Sequence, residues 1–482
     1  MGRLLRRTRR TTGGAFGTDL WTLERSRTAV LRRQLTPARL LVLSFLGLIG
    51  LGTLGLMLLP GLYVGEPLSW LDALFTATSA VCVTGLIVVD TATHFTLAGQ
   101  AFILLLIQLG GLGILTFATL VIIALGRRLS LHHEAVTANT AEVAPDIDFK
   151  RLVRNVVRFT FLFEAVGALA LFVLWLPRFA FGDAVWHAVF QAVSAFCNAG
   201  FSTFSDSLTG FQGAPLTLTT IMTLIVLGGL GFLTIEELHL RWRGKEGSRP
   251  RLSLHSRLVL SVTALLLVGG WLVYTTLEWG HTMAGMPVWK KLLNGLFMSV
   301  TARTAGFNTV DYGATADSTD FVTVLLMSIG GSPGSTAGGL KTTTVAVIGL
   351  LAFARLRGQQ VTSVQHRSIP EETVQRAVGL FVVGFLVVTG AILLYSVGQL
   401  EPLGSAPPGE FLRYMFEAVS AFNTVGLSMG ATGELTGPGK VLTIVLMYVG
   451  RVGPLTFASA IALGRPTLSG EFRYAYEDVI IG

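Results

Sequence analysis

Residues 185–201 read VWHAVFQAVSAFCNAGF, and residues 411–427 read FLRYMFEAVSAFNTVGL. Both runs are apolar, and both fall short of the ~20 helical residues needed to cross a ~30 Å hydrocarbon layer. Each ends at a glycine followed by a large apolar side chain, and the pentapeptide AVSAF stands in both, at 192–196 and 418–422. WLDALFTATSAVCVTGL (70–86) and WKKLLNGLFMSVTARTAGF (289–307) repeat the pattern. The terminal glycines Gly85, Gly200, Gly306 and Gly426 are 115, 106 and 120 residues apart. A feature recurring at a near-constant interval is the mark of an internally repeated architecture.

A second glycine motif follows each turn by 24 to 28 residues: QLGGLGILTF (108–117), VLGGLGFLTI (226–235), SIGGSPGSTA (328–337) and YVGRVGPLTF (448–457). Around these motifs lie eight long apolar segments, at roughly 40–60, 99–125, 155–176, 216–238, 257–277, 321–354, 373–396 and 440–463. Only 13% of the 482 residues are charged and 51% are hydrophobic, against roughly 25% charged in a soluble domain. The fold expected is therefore an all-α polytopic membrane protein. It comprises four helix–pore loop–helix repeats (eight transmembrane helices) arranged with pseudo-fourfold symmetry around one pore. The boundaries expected are a basic N-terminal segment at 1–39, repeats at 40–126, 155–240, 257–355 and 373–464, and a tail at 465–482.

The charge of the chain is uneven. Residues 1–39 hold ten arginines against Asp19 and Glu24, which accounts for the whole net +8; the remaining 26 basic and 26 acidic residues cancel. Such a tail suits a nucleic-acid-binding arm or a cytoplasmic segment drawn to anionic lipid, and the membrane context favours the second, with no nucleic-acid partner. The connections 126–158, 239–257 and 355–376 are basic, whereas the alternate ones carry Glu66, Asp90, Asp183, Asp206, Glu278, Asp311 and Glu401. The positive-inside rule then puts both termini in the cytoplasm. The two cysteines, Cys82 and Cys197, sit in apolar repeat segments and form neither a disulfide framework nor a zinc pattern. No clustered nucleophile, base or metal ligand is present, so an enzyme is not expected.

Non-helical backbone is tolerated at membrane depth only where protein buries it or it lines a wet cavity. Four glycine turns converging on one axis can offer carbonyl oxygens in place of a cation's hydration shell, and the C-terminal ends of the short helices add partial negative charge there. The residues expected to line this path are Val83, Thr84 and Gly85; Asn198, Ala199 and Gly200; Thr304, Ala305 and Gly306; and Thr424, Val425 and Gly426. The alternative is glycines that serve helix packing alone. The run 321–354 is too long for one membrane crossing, and Gly330, Gly331, Ser332, Pro333, Gly334, Ser335, Thr336, Ala337, Gly338 and Gly339 break it before Lys341. An irregular loop over 330–344 is expected, either a movable gate or a static kink. Arg451 replaces the glycine found at Gly111, Gly229 and Gly331. It is read either as a barrier facing the pore or as the partner of a buried acid, Glu417 or Glu164.

These residues resemble the Trk/Ktr/HKT superfamily of potassium transporters over 40–482, and most of all its bacterial Ktr-type membrane subunits. A single helix precedes the first pore loop, the third repeat carries GGSPGSTAGGLKTTT (330–344), and the chain closes on YAYEDVIIG (474–482). The resemblance implies K+ as the transported ion, with Na+ as a coupling or activating ion and no covalently bound cofactor. It implies that Gly85, Gly200, Gly306 and Gly426 determine selectivity, since plant relatives with serine at the first of these prefer sodium. It also implies gating by the 330–344 loop, a homodimer in a bacterial inner membrane, and a cytosolic nucleotide-binding RCK subunit (KtrA-like). A sodium-selective or proton-coupled transporter on the same scaffold is the other reading.

Overall fold

The computed structural model describes residues 37–113, 149–243, 251–364, 367–398, 409–454 and 457. Expectations for residues 1–36, for 114–148 and for the tail 465–482 lie outside these residues. In chain order the helices are α1 (Pro37–Leu58), α2 (Trp70–Val81), α3 (Thr91–His94), α4 (Leu97–Gly111) and α5 (Phe149–Trp175). Then follow α6 (Phe181–Cys197), α7 (Pro215–Gly229), α8 (Phe232–Arg243), α9 (Leu254–Leu277) and α10 (Val288–Thr301). The last are α11 (Asp317–Met327), α12 (Thr342–Leu356), α13 (Glu371–Gly398), α14 (Glu410–Phe422) and α15 (Gly437–Val452). A small antiparallel hairpin of β1 (Ser363–Val364) and β2 (Arg367–Ser368) leads from α12 to α13, with Ser363 opposite Ser368.

Polarity is distributed inside out. α1, α5, α9 and α13 contain the stretches Arg39–Leu58, Arg154–Trp175, Leu254–Leu277 and Glu371–Val397, each long and apolar enough to cross a membrane, yet only 17–28% of their apolar windows is buried. Leu51, Leu169, Leu265 and Leu394 point outward from them. Ser79, Gln191, Ser194, Asn198, Thr304, Glu417 and Thr424 are buried instead. In water this arrangement would forfeit the hydrophobic driving force; in lipid the outward leucines lose nothing.

The short helices α2, α6, α10 and α14 fill the interior. Each packs on the helix before it, α2, α6 and α14 also on α4, α7 and α15 after them, and each on one helix from the preceding repeat: α2 on α15, α6 on α4, α10 on α7 and α14 on α11. Polar and aromatic contacts close the same seams. Trp186 Nε1 donates to Gln100 Oε1 at 2.7 Å, Gln212 Nε2 donates to the Thr309 carbonyl at 2.6 Å, and the Tyr312 and Phe416 rings lie 5.6 Å apart. The last seam joins the end of the chain to its beginning, through Lys440 Nζ and Asp72 Oδ1 at 2.6 Å. Asp72 also lies in the first turn of α2, whose N-cap Ser69 accepts from the Asp72 N–H, so the ion pair sits at a favourable helix N-terminus.

One expected segment is not straight. The sequence suggests a single membrane segment over 216–238, but α7 and α8 meet at 104° across a short break. The cause is tertiary. Gly231 takes φ +86°, and a Cβ built on it would lie 2.5 Å from the Pro333 carbonyl oxygen. The Phe232 N–H then donates to the Gly334 carbonyl at 3.0 Å. A straight helix would drive through the irregular segment after α11, so the chain turns there.

Gly231→Ala combines a left-handed backbone with a clash against main chain. It is expected to destabilise the protein by about 1–3 kcal/mol, read as a lower melting midpoint of the purified protein in detergent. An unchanged midpoint would mean that the 332–334 segment moves aside freely and does not set the bend.

Candidate functional site

The four short helices end alike. Starting within three residues of each helix end, two residues in left-handed backbone flank a third: Val83 and Gly85 (φ 56° and 93°), Asn198 and Gly200 (59° and 72°), Thr304 and Gly306 (68° and 80°), and Thr424 and Gly426 (51° and 91°). For β-branched Val83, Thr304 and Thr424 this conformation is rare and costs of order 1–3 kcal/mol each. Alternation of φ sign breaks the strand pleat, in which neighbouring residues face opposite ways, and lets consecutive carbonyls turn to one side.

The glycines of the four turns meet. A Cβ built on Gly85 would lie 2.5 Å from the Ala199 carbonyl oxygen and 2.8 Å from Gly200 Cα; one on Gly200 would lie 3.1 Å from Gly306 Cα. One on Gly306 would lie 2.6 Å from the Val425 oxygen, and one on Gly426 would lie 2.1 Å from the Thr84 oxygen. These neighbour contacts run 85–200–306–426–85, a closed circuit in chain order. Any side chain there would intrude on the next turn's backbone. A cavity of about 150 Å³ opens beside the circuit, lined by all four glycines with Asp90 and Ser428 among its walls.

Each turn is held by hydroxyls that sequence reasoning did not single out. Ser79 donates to the Leu86 carbonyl at 2.7 Å and accepts from the Gly85 N–H at 3.1 Å. Ser194 donates to the Phe201 carbonyl at 2.6 Å, Thr301 to the Phe307 carbonyl at 2.6 Å, and Ser420 accepts from the Gly426 N–H at 3.1 Å. Backbone bonds reinforce them: Thr84 N–H to Ser79, Ala199 N–H to Ser194 and Val425 N–H to Ser420, each at 2.8 Å. The signal was present in AVSAF, whose serine is the hydroxyl in two of the four turns.

The second glycine motif has a separate geometric duty. A Cβ on Gly110 would lie 2.0 Å from the Val81 carbonyl, one on Gly228 1.9 Å from the Phe196 carbonyl, and one on Gly450 1.7 Å from the Phe422 carbonyl. Each touches the last turn of its own repeat's short helix, four residues before the turn glycine, so these positions admit the following helix against the turn. Gly330 departs from the pattern. It packs on the Gly338 and Leu340 carbonyls, because the third repeat carries an irregular segment there.

That segment, between α11 and α12, lies against the turns. Gly338 abuts the Thr424 side chain and Gly339 that of Asn423, whose Oδ1 accepts from the Leu340 N–H at 3.3 Å. On the other side Ser332 N–H bonds the Gly229 carbonyl at 3.0 Å, and Thr336 bonds Gly228 through its N–H at 3.2 Å and its hydroxyl at 3.0 Å. Among the described residues two buried arginines, Arg303 and Arg451, reach it, and the half-buried Lys341 closes it. Lys341 Nζ donates to the Ala337 carbonyl at 2.7 Å, and Arg303 Nη2 to the Gly330 carbonyl at 3.2 Å. Arg451 Nη2 donates to the Gly110 carbonyl at 2.8 Å and its Nη1 to the Thr336 carbonyl.

Arg451 is 2% exposed and pairs with neither candidate acid. Glu417 instead accepts from Ser428 and Thr432, and Glu164 from Gln108 at 3.2 Å and from Cys197. Arg303, adjacent to Thr304 in the third turn, went unnoticed in the sequence because only the residues facing the expected path were considered.

Outward leucines, polar interior and converging glycine turns define a membrane protein that moves cations. A family model described as TrkH, cation transport protein, matches residues 15–467, and the chain belongs to that family. It is 37% identical to the potassium/sodium uptake protein NtpJ of Enterococcus hirae, over 94% of this chain and 98% of the relative. It is 38% identical to the Ktr system potassium uptake protein B of Vibrio alginolyticus, over 92% of this chain and 94% of the relative. The crystal structure of the potassium transporter TrkH from Vibrio parahaemolyticus superposes with a TM-score of 0.69 at 19% identity, covering 88% of this chain and 84% of that one. This last likeness concerns the fold. The protein is a transporter and not an enzyme.

Ser79→Ala leaves the Leu86 carbonyl and the Gly85 N–H without their partner. The expected cost is about 1–3 kcal/mol per buried group, measured as a lowered melting midpoint, with Ser79→Thr recovering most of it. Equal midpoints for Ser79→Ala and the unsubstituted protein would contradict the clamp.

Proposed function

We propose that the chain is the pore-forming subunit of a potassium uptake system. In this reading it has eight transmembrane helices in four repeats related by pseudo-fourfold symmetry, and K+ passes along the axis where the four turns meet. Backbone carbonyls of residues 83–85, 198–200, 304–306 and 424–426 replace the ion's water. The observation that carries the proposal is the closed circuit of four glycines in left-handed backbone. It brings main chain from all four repeats to one point with no charged side chain among the twelve residues.

The segment 330–344 acts as the gate. It stands directly against Asn423 and Thr424, and Arg451 ties its Thr336 to Gly110 of the first repeat. A guanidinium that bonds only carbonyls among the described residues carries a positive charge with no acid against it there, which opposes a resting cation nearby. Opening requires the segment to exchange those bonds for others. Both termini are cytoplasmic, the membrane is the bacterial inner membrane, and the chain works as a homodimer with a cytosolic nucleotide-binding RCK subunit. The printed name of the Ktr relative supports assembly into a multi-component system. A second reading, Na+ carried or used as a coupling ion, is favoured by one observation: the E. hirae relative is named for potassium and sodium together.

Proteoliposomes under opposed K+ and Na+ gradients test the filter. Unsubstituted protein is expected to prefer K+, and Gly306→Ser to lower that preference about tenfold, equivalent to about 1.4 kcal/mol. Equal fluxes of the two ions, untouched by the serine, would remove the four turns from selectivity.

For the gate, Arg451→Ala removes both cross-links and a positive barrier, and K+ flux through the isolated chain should rise several-fold. Flux no different from that of the unsubstituted protein would assign Arg451 a purely structural part.

A further inference from the structure

Away from the four turns, a partly open cavity of about 210 Å³ lies between α5 and α8. Asn155, Arg158, Phe159, Glu236, His239 and Arg243 line it. Two sets of groups there lack partners. Arg158 and Arg243 are exposed, and neither makes a hydrogen bond or ion pair among the described residues. Glu236, 8% exposed, accepts from Asn155 Nδ2 on Oε1 at 2.9 Å, while its Oε2 is buried with no partner. A buried carboxylate oxygen left unbonded is costly, and two free guanidinium groups on one cavity suit an anion with several acceptor oxygens.

A bare phosphate would satisfy the arginines and leave Glu236 facing a like charge. A simple cation would do the reverse. A phosphate joined through a short linker to a primary ammonium satisfies both. The edge-to-face pair of Phe159 and His239, 5.1 Å between centroids, adds aromatic surface of the kind that suits an ammonium.

The position of the cavity names the source of such a group. Arg158 lies one turn inside the end of the membrane stretch Arg154–Trp175, at the depth of headgroups. Leu162, also on the cavity wall, is 50% exposed and continues into exposed Phe161 on the lipid-facing side of α5. α8 carries Trp242, 82% exposed, between Arg241 and Arg243, the composition of a membrane–water boundary. We propose that this cavity holds the headgroup of an ethanolamine phospholipid. Its phosphate lies on Arg158 and Arg243, its ammonium on Oε2 of Glu236, and its acyl chains run along Leu162 and Phe161. The proposal does not depend on which ion the four turns conduct.

The test is native mass spectrometry of the purified full-length chain, titrated with phosphatidylethanolamine, phosphatidylcholine and phosphatidylglycerol of identical acyl chains. The ethanolamine lipid is expected to bind about tenfold more tightly than the other two, the difference made by one charge-assisted hydrogen bond. The choline nitrogen has no N–H to give, and the glycerol headgroup has no ammonium. Glu236→Gln should bring the ethanolamine lipid down to the level of the glycerol lipid, and Arg158→Ala with Arg243→Ala should weaken all three. Lysine at both arginine positions should restore part of the binding, and the melting midpoint of each variant shows that it is folded. Equal binding of the three lipids, or an ethanolamine preference that survives Glu236→Gln, would overturn the proposal. Soluble O-phosphoethanolamine binding as tightly as the lipid would overturn the lipid source.

Discussion

A peptide group without a hydrogen-bond partner costs several kcal/mol in hydrocarbon, and this protein concentrates four stretches of non-helical backbone at its centre. N–H groups in them are met by the short helices that precede them, through the Ser79, Ser194, Thr301 and Ser420 carbonyls and the Ser79 and Ser420 hydroxyls. That leaves carbonyls as the groups in excess. The remainder of the fold is arranged around this imbalance: long apolar helices keep lipid away, and short buried helices hold the turns. Gly110, Gly228 and Gly450 let the next helix come within contact of the first, second and fourth turns.

The third repeat departs from the other three in three linked ways. Its second glycine packs on its own irregular segment, its turn carries Arg303, and α11 and α12 are separated by that whole segment, a longer interruption than the short break between α7 and α8. The fourth repeat answers with Arg451, which reaches the same segment. The irregular segment thus breaks the likeness among the four turns, touching the fourth at Asn423 and Thr424 and the helix after the second at Gly228 and Gly229. The same segment bends α7 from α8 at Gly231, so any displacement of residues 332–334 is felt at α8 and at the cavity it shares with α5.

Much of this was legible in the sequence, for physical reasons. Membrane class followed from the scarcity of charge, and the four short helices ending in glycine turns followed from glycines that recur because a Cβ at those points would meet main chain. The break after residue 327 could be read from Gly330–Gly331–Ser332–Pro333–Gly334, which no helix accommodates. Other features were not legible. The bend at Gly231 is imposed by Pro333 and Gly334, a hundred residues away, whereas local composition reads as continuous helix. The partners of Arg451 are carbonyls of Gly110 and Thr336, and a backbone acceptor leaves no trace in residue identity. The serine clamps escaped notice because a hydroxyl in an apolar helix ordinarily bonds its own preceding turn, and only the three-dimensional turn brings the later carbonyl within reach.

The central claim is that ions rest among the main-chain carbonyls of the four turns. Crystals of the protein grown in rubidium or thallium salts, measured at the absorption edge of the ion, test it most directly. The account predicts anomalous density on the axis enclosed by Gly85, Gly200, Gly306 and Gly426, and its loss when sodium replaces the heavy ion. Density absent from that axis, or gathered only at acidic side chains such as Asp90, would contradict it.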